Sequence, residues 1–443
     1  MIWLRRAFTL PLILIFFALL ATAVTVTAVN NTAANPGFYN DLMLEADMYN
    51  YVYDSILPAA LDEMDTADTS DLPVDIESLH VEIVAAAEQA FPPSWLQQQF
   101  ESVTASLIPY MVDYEEWFTY TLVLRDRIDY VGQAIKDNIL TGSAFLGVYD
   151  GVISYMAEYY YQQLPALWYS IGITQDEIET VLREMITPAW LRAQLNEAVD
   201  EVIPYLAGDR NYFEVNIPVQ ELATDQALME LLGPGNEDYL DEAWDWLGVG
   251  WTYTQNDLYT DLSEEDVQNL QDVRGWIRNG YTFDQDDLRE AVSDNPERLE
   301  SFDNVRYWIN IARSLLWVFW LVPFLLLIGI GFLGGRGWKT RAAGPLVMLF
   351  VVSLVMFLGL MLTWGQWGEA EMQSAISSSD SQGVEAVLLD QADYMAVEAA
   401  GSFVNNMQNT YMYMMIASGV GLAAVGVWWL ISSRGKKGVA VAS

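Results

Sequence analysis

Histidine and cysteine set the first limits on the chemistry of this chain. It has a single histidine, His80, and no cysteine. A serine or threonine nucleophile activated by histidine would have to use His80, and no Gly-x-Ser-x-Gly turn occurs in the sequence. Metal centres that need several histidines or cysteines are excluded, as are disulfides and thiolate nucleophiles. We therefore assign no catalytic residue, and we interpret His80 as a structural or solvent-exposed residue of a helix.

Carboxylates are in large excess, with 60 acidic against 20 basic residues. Their oxygens could hold Ca²⁺ or Mg²⁺, and a divalent cation is the one cofactor that the sequence suggests. The weak candidates for its ligands form the densest acidic cluster, Asp62, Glu63, Asp65, Asp68 and Asp71. The cluster lacks the glycine and the closing glutamate of an EF-hand loop, so a solvated loop is the alternative. A two-carboxylate hydrolase also stays open, since acid pairs are too frequent here to locate a cleft.

Four apolar segments are each long enough to cross a membrane, for which a helix needs about 20 residues. They are residues 7–29, 314–333, 343–364 and 411–431, and none contains Asp, Glu, Lys, Arg or His. Spans without ionisable residues are untypical of proton- or ion-coupled transporters. We therefore predict a four-helix transmembrane anchor. Its first part, residues 1–29, is either a retained anchor or a signal segment.

Basic residues around these spans predict the orientation of the chain. Arg5 and Arg6 precede the first span, three bases lie between the second and third, and three more follow the fourth. Because no acid accompanies them, the positive-inside rule places these segments, including the tail 432–443, in the cytoplasm. All 60 acids then lie outside, in an extracytoplasmic region at residues 30–313 and in an acidic loop at 365–410.

An internal repeat organises the extracytoplasmic region, where residues 91–124 resemble residues 186–219 at an offset of 95. Seven of the first twenty positions are identical, and the apolar residues recur on one face of a helix. Proline suits the first turn and the end of such a helix, while tryptophan and tyrosine suit a core. The structural residues of the repeat are Pro93, Trp95, Pro109 and Tyr110 in the first copy, and Pro188, Trp190, Pro204 and Tyr205 in the second.

Each copy ends in a segment with the alternation of a short strand, at residues 118–124 and 213–219. We expect these two strands to pair with each other across a pseudo-twofold axis. The domain that contains the repeat covers residues 30–232.

Residues 233–313 are predicted to form a separate helical subdomain that leads into the second span. Thr254 with Asp257, and Asp284 with Asp287, have the spacing of helix N-caps. These residues are therefore interpreted as folding signals.

The predicted fold class is mainly α: a duplicated helical extracytoplasmic domain with two short β-strands, on a four-helix transmembrane anchor. Its acidity disfavours nucleic acid as a partner, and the spans imply a lipid bilayer, the plasma membrane. We predict a non-catalytic binding or assembly protein of the cell envelope, whose partner is a membrane or envelope protein and whose binding residues are unknown. The alternatives are an accessory subunit or sensor of another membrane complex, an extracytoplasmic carboxylate-dependent hydrolase, and an apolar-ligand groove between the repeats.

Overall fold

The computed structural model describes residues 2–65, 77–165, 168, 172–248, 251–293, 296–334, 338–368, 370–372 and 383–437. Across these residues the chain is mostly helical and has two antiparallel sheets of two strands each, which confirms the prediction of a mainly α fold. The described helices are α1 (Ile2–Asn31), α2 (Pro36–Glu45), α3 (Met48–Tyr51), α4 (Leu57–Asp65), α5 (His80–Ala90), α6 (Pro93–Met111), α7 (Arg125–Ala134), α8 (Gly142–Gln162), α9 (Gln175–Met185), α10 (Pro188–Leu206), α11 (Asp225–Leu232), α12 (Leu240–Leu247), α13 (Gln255–Asp261), α14 (Glu264–Asn279), α15 (Gln285–Ser293), α16 (Pro296–Ser314), α17 (Leu316–Gly334), α18 (Trp338–Thr363) and α19 (Gly383–Lys437). The strands are β1 (Thr119–Leu122), β2 (Glu214–Ile217), β3 (Trp251–Thr254) and β4 (Tyr281–Asp284). Shorter helical turns lie at Val52–Ile56, Glu77–Leu79, Ile135–Ile139, Val219–Glu221, Glu237–Tyr239 and Trp364–Gly368.

Four helices that are long and apolar enough to cross a membrane contain the predicted spans: α1, α17, α18 and α19. Each contacts two of the others, in the cyclic order α1, α17, α18, α19, so the four close into a bundle. Phe16, Ile330 and Tyr411 belong to the buried cluster inside it. Its outer surface is apolar as well, with Phe324 and Phe332 exposed on α17. Helices that are apolar on all sides are typical of membrane segments.

The longest helix, α19, extends far beyond the apolar bundle. Its 55 residues cover about 80 Å at 1.5 Å per residue, whereas crossing the hydrocarbon core takes about 20 residues. Residues 383–410, which the sequence predicted as part of an acidic loop, thus form its N-terminal half. There Gln391 donates a hydrogen bond to the carbonyl of Ala46 (2.8 Å), and Tyr51 donates one to the carbonyl of Val387 (3.2 Å). These bonds hold α19 against the helices that follow α1.

Residues 36–314, called the acidic domain below, have their largest core around α8. Phe145 and Ile153 of α8 are fully buried there, in one cluster with side chains of α9, α11 and α12. Tyr160 and Trp168 lie in the same cluster, so these two aromatic residues are packed in the core. Helices α7 and α8 are bent by 91° at their junction, and together they are long and apolar enough to count as a candidate fifth span. Because the apolar face of α8 fills this core, we count α8 with the acidic domain.

The two sheets connect segments that are far apart in sequence. The predicted strands at 118–124 and 213–219 are confirmed as β1 and β2, but the prediction that they pair with each other is wrong: β1 pairs with β4, and β2 pairs with β3. Both partner strands come from the region 233–313 that was predicted to be helical. Residues 251–254 and 281–284 carry aromatic and threonine side chains, which favour strands. Residues 251–254 and residues 281–284 each form a strand, and the last residue of each strand caps the helix that follows.

Equivalent elements recur at the offset of 95. Helices α5 and α9 both have 11 residues, helices α6 and α10 both have 19, and the start points of each pair are 95 residues apart, as are those of β1 and β2. The strand registers match too. Thr119 lies opposite Asp284 in one sheet, and Glu214 lies opposite Thr254 in the other.

Candidate functional site

The structure describes only part of the acidic cluster that was predicted to bind a cation. Asp68 and Asp71 lie outside the described residues, and Asp65 is described only as the last residue of α4. Among the described side chains, no three His, Asp or Glu residues come close enough together to hold a metal ion. Cation binding at this cluster stays a prediction.

The two other members of the cluster contact neighbouring elements. The carboxylate of Asp62 lies 3.3 Å from Nδ1 of His80, whose side chain is 16% exposed at the start of α5. The carboxylate of Glu63 accepts a hydrogen bond from the backbone N–H of Val384 (2.9 Å). A negative charge at the N-terminus of a helix complements the helix dipole. Both carboxylates thus connect α4 to other helices, α5 in one case and α19 in the other.

The acidic residues predicted as caps are caps in the structure. The backbone N–H of Thr254 donates to the carboxylate of Asp257 (2.7 Å), and the N–H of Asp257 donates to the hydroxyl of Thr254 (3.4 Å), as in a capping box. Hydrogen bonds from Thr254 hold the pKa of Asp257 below its usual value. The carboxylate of Asp284 accepts from the N–H groups of Asp286 and Asp287 (2.8 and 3.3 Å). These carboxylates stabilise the starts of α13 and α15.

The repeated prolines mark the limits of two equivalent helices. Pro93 and Pro188 are the first residues of α6 and α10, as predicted. Pro109 and Pro204 lie two residues before the helix ends, and each carbonyl accepts two N–H groups from the loop that follows, at 2.8 and 3.2 Å in one copy and 2.9 and 3.1 Å in the other. The predicted ends of both helices are therefore confirmed.

The repeated tryptophans have different neighbours. The ring of Trp95 lies 5.3 Å from that of Phe91, and the guanidinium of Arg127 lies 5.6 Å from its centroid. Trp190 is half-buried at the edge of the core around α8. Both side chains contact neighbouring elements, and a structural role for them stays a prediction.

Each repeated tyrosine binds an arginine that sequence analysis missed. The guanidinium carbon of Arg306 lies 3.9 Å from the ring centroid of Tyr110, and that of Arg274 lies 3.7 Å from the ring of Tyr205. Nε of each arginine donates a 2.9 Å hydrogen bond to the main-chain carbonyl of the same tyrosine. Arg306 is also buried and lies 3.3 Å from the carboxylate of Asp113. We call this pair the arginine–tyrosine contacts.

An aromatic pair supports each of these contacts. The rings of Tyr110 and Phe118 are 5.2 Å apart, and those of Tyr205 and Phe213 are 5.1 Å apart. Burial raises the pKa of the Tyr205 hydroxyl to about 12, and its hydrogen bond with Tyr259 acts in the same direction. The hydroxyl therefore stays protonated at neutral pH, and the stacked arginine faces a neutral ring.

A short sequence match marks the two arginines and could have revealed them. Residues 273–277 read Val-Arg-Gly-Trp-Ile, and residues 305–309 read Val-Arg-Tyr-Trp-Ile. The first segment lies on α14, after β3 and α13, and the second lies on α16, after β4 and α15. Both arginines therefore lie on the second helix of a strand–helix–helix segment.

Helix α16 leads from the arginine–tyrosine contact of Arg306 to the apolar bundle. The backbone N–H of Leu315 donates a hydrogen bond to the carbonyl of Ile311 (3.0 Å), so helical hydrogen bonding continues from α16 up to the start of α17. Beside this junction, between α16 and the C-terminal end of α1, lies a cavity of about 300 Å³. Its lining residues include Thr25, Val29, Ala34, Trp308, Ala312 and Arg313.

Arg313 is the one charged side chain among the residues that line this cavity. Its guanidinium carbon lies 4.6 Å from the ring centroid of Tyr114. Among the described side chains, no carboxylate lies within 4 Å of it. No motif in residues 25–34 or 305–313 signals a cavity, because it forms only where these two distant segments meet.

Comparison with known proteins identifies no relative. No protein-family model, no curated protein and no solved structure matches the chain. Function is therefore inferred from the architecture and the contacts described above.

Proposed function

We propose that the chain is a multi-pass protein of the plasma membrane, with its acidic domain outside the cell and its C-terminal tail in the cytoplasm. Four apolar helices of sufficient length support the membrane placement. The orientation is supported by the basic residues beside those helices and by the acids, all of which lie in the segments assigned to the outside.

We further propose that the acidic domain arose by internal duplication and that a later segment completes each half. One half combines α6 and β1 with β4 and α16, and the other combines α10 and β2 with β3 and α14. Several observations support this: the common offset of 95, the matching strand registers, and one arginine–tyrosine contact in each half. The turn after each helix also has a left-handed residue at the equivalent position, Asp113 (φ 56°) and Gly208 (φ 75°).

The role that we propose for this domain is non-catalytic: it binds or organises a partner in the cell envelope. The observation that carries this proposal is the attachment of the domain to the bundle through two helices, α19 and α16. Helix α19 extends as one helix from the bundle to its contacts with Ala46 and Tyr51 of the domain, and α16 joins α17 through a continued backbone hydrogen bond. A strongly acidic surface held in a fixed orientation favours recognition of a basic partner surface.

The same attachment favours a second candidate function, an accessory subunit or sensor. A shift of the acidic domain would move α17, which follows directly on α16, and α19, whose N-terminal half is hydrogen-bonded to Ala46 and Tyr51 of that domain. A neighbouring membrane protein in contact with the bundle could then respond to what the domain binds.

Single cysteines test the proposed orientation in a chain that has no cysteine of its own. Asp238→Cys, at an exposed position of the acidic domain, is expected to react with a membrane-impermeant maleimide on intact cells. Ser433→Cys, beyond the apolar part of α19, is expected to react only after permeabilisation. Labelling of Ser433→Cys on intact cells, with protection of Asp238→Cys, would show the opposite orientation.

Photo-cross-linking from single cysteines separates the two candidate functions. A binding or assembly role predicts a specific product from a cross-linker at Asp238→Cys in native membranes. The sensor or accessory role predicts a product from Phe324→Cys, on the exposed apolar surface of α17. A chain that yields neither product and purifies alone after mild detergent extraction contradicts both functions.

A further inference from the structure

The cavity between α1 and α16 lies where two proposed spans leave the membrane. Residues 25–34 form the end of span one and the turn after it, and residues 305–313 lead into span two. Under the membrane placement proposed above, on which this inference rests, the end of span one lies in the bilayer and residues 305–313 lie at its outer surface, directly before span two. A lipid chain can therefore enter the cavity from the bilayer without crossing water.

The cavity lining is almost entirely apolar. Val29, Ile309 and Ala312 contribute aliphatic surface, and Trp308, which is 64% exposed, lies at one edge. Tryptophan is enriched at the level of the lipid headgroups. A volume of about 300 Å³ is at the small end of ligand sites, so it suits part of one acyl chain and excludes a whole two-chain lipid.

The positive charge of Arg313 beside the cavity favours a lipid with an anionic headgroup. Arg125, Arg183 and Arg210 each form an ion pair with a carboxylate, whereas Arg313 has no described carboxylate within 4 Å. Its guanidinium is instead positioned on the ring of Tyr114. Such a guanidinium presents a planar fork of N–H donors, which matches the oxygens of a phosphate.

We propose that this cavity binds part of one acyl chain of an anionic phospholipid, with the lipid phosphate held by Arg313. The acidic domain as a whole repels anionic headgroups, so a guanidinium beside an apolar cavity, with no carboxylate of the described side chains within 4 Å, is what retains one there. The bound lipid would fill the space between α1 and α16 and hold the end of span two in place.

The test uses the full chain in phosphatidylcholine vesicles that contain a photoreactive lipid with a diazirine on one acyl chain. Three probes are compared: phosphatidylglycerol, phosphatidylcholine and a free fatty acid. We expect phosphatidylglycerol to label residues 25–34 and 305–313 about fivefold more than phosphatidylcholine, as one basic residue near an anionic lipid implies. Labelled segments are identified by peptide mass spectrometry.

Four variants assign the effect to the cavity and to its charge. Ala312→Trp fills the cavity and is expected to abolish labelling of both segments, while Leu325→Trp, on the exposed face of α17, leaves it unchanged. Arg313→Gln is expected to reduce phosphatidylglycerol labelling to the phosphatidylcholine level. Lys136→Gln removes an ion-paired cation elsewhere and leaves the labelling unchanged.

The outcomes separate this inference from the membrane placement. Equal labelling by the two phospholipids, labelling that persists in Ala312→Trp, or stronger labelling by the fatty acid overturns the phospholipid site. Exposed residues of α18, such as Val351 and Val355, report on the bilayer itself. If they are labelled while the cavity is not, only the lipid site fails; if no probe labels them, the membrane placement fails.

Discussion

Replacing Arg306 by alanine is expected to destabilise the acidic domain by about 3 kcal/mol, because hydrogen bonds of a charged group contribute about 1.5–3 kcal/mol each and this guanidinium is itself buried. The variant loses the hydrogen bond to the carbonyl of Tyr110, the stack on its ring and the contact with Asp113. We expect the unfolding temperature of the full chain in detergent to fall by roughly 6–12 °C. The tryptophan residues of the chain, 17 in number, supply the fluorescence signal.

Matched variants show whether geometry or charge is responsible. Arg306→Lys keeps the charge but loses the planar fork, so it is expected to recover less than half of the loss. Arg274→Ala breaks the equivalent contact at a less buried position and is expected to cost about half as much. Lys136→Ala removes an ion pair whose partner is exposed, and a cost below about 1 kcal/mol is expected. Similar losses in all four variants would contradict the special role of Arg306.

The parts of the fold that sequence predicts well are those with local signals. Runs of apolar residues predict the four candidate spans. The helices of the repeat are predicted by the helical period of their apolar residues and by proline: Pro93 and Pro188 lie at their starts, and Pro109 and Pro204 lie near their ends. The caps at Thr254 and Asp284 are equally local. Each of these features depends on residues within one turn or one helix.

The contacts that sequence did not predict join residues far apart in the chain. Thr119 and Asp284 lie opposite each other although 165 residues separate them in sequence, and neither strand has a residue pattern that identifies the strand it pairs with. Because the two repeat strands look alike, their mutual pairing was the simplest expectation, yet each pairs with a strand from another unit. The cavity is less predictable still, since apolar residues on α1 and α16 have the same pattern whether or not the helices meet.

Gly280 is the position where this strand pairing is expected to be most sensitive to substitution. It precedes β4 with φ +83°, and a Cβ there would lie 2.7 Å from Cγ2 of Thr121 and 3.3 Å from the carbonyl oxygen of Leu122. Gly280→Ala thus combines the strain of a left-handed conformation with overpacking, and we expect a loss of about 3 kcal/mol. Gly233→Ala is the matched control, because Gly233 has φ +74° and no atom within 4 Å of the added Cβ; about 1 kcal/mol is expected there.

A double-mutant cycle isolates the contact with the strand. Thr121→Ser removes Cγ2 but retains the hydroxyl that lies 3.2 Å from the hydroxyl of Thr282, so by itself it is expected to cost less than about 1 kcal/mol. Combined with Gly280→Ala, it should restore about 1 kcal/mol or more, since the clash with Cγ2 disappears while the backbone strain stays. Additive losses in the double variant would show that β4 does not approach β1 as closely as the structure has it. Recovery would show that β1 packs closely against β4, the strand of the segment that continues into α16 and the apolar bundle.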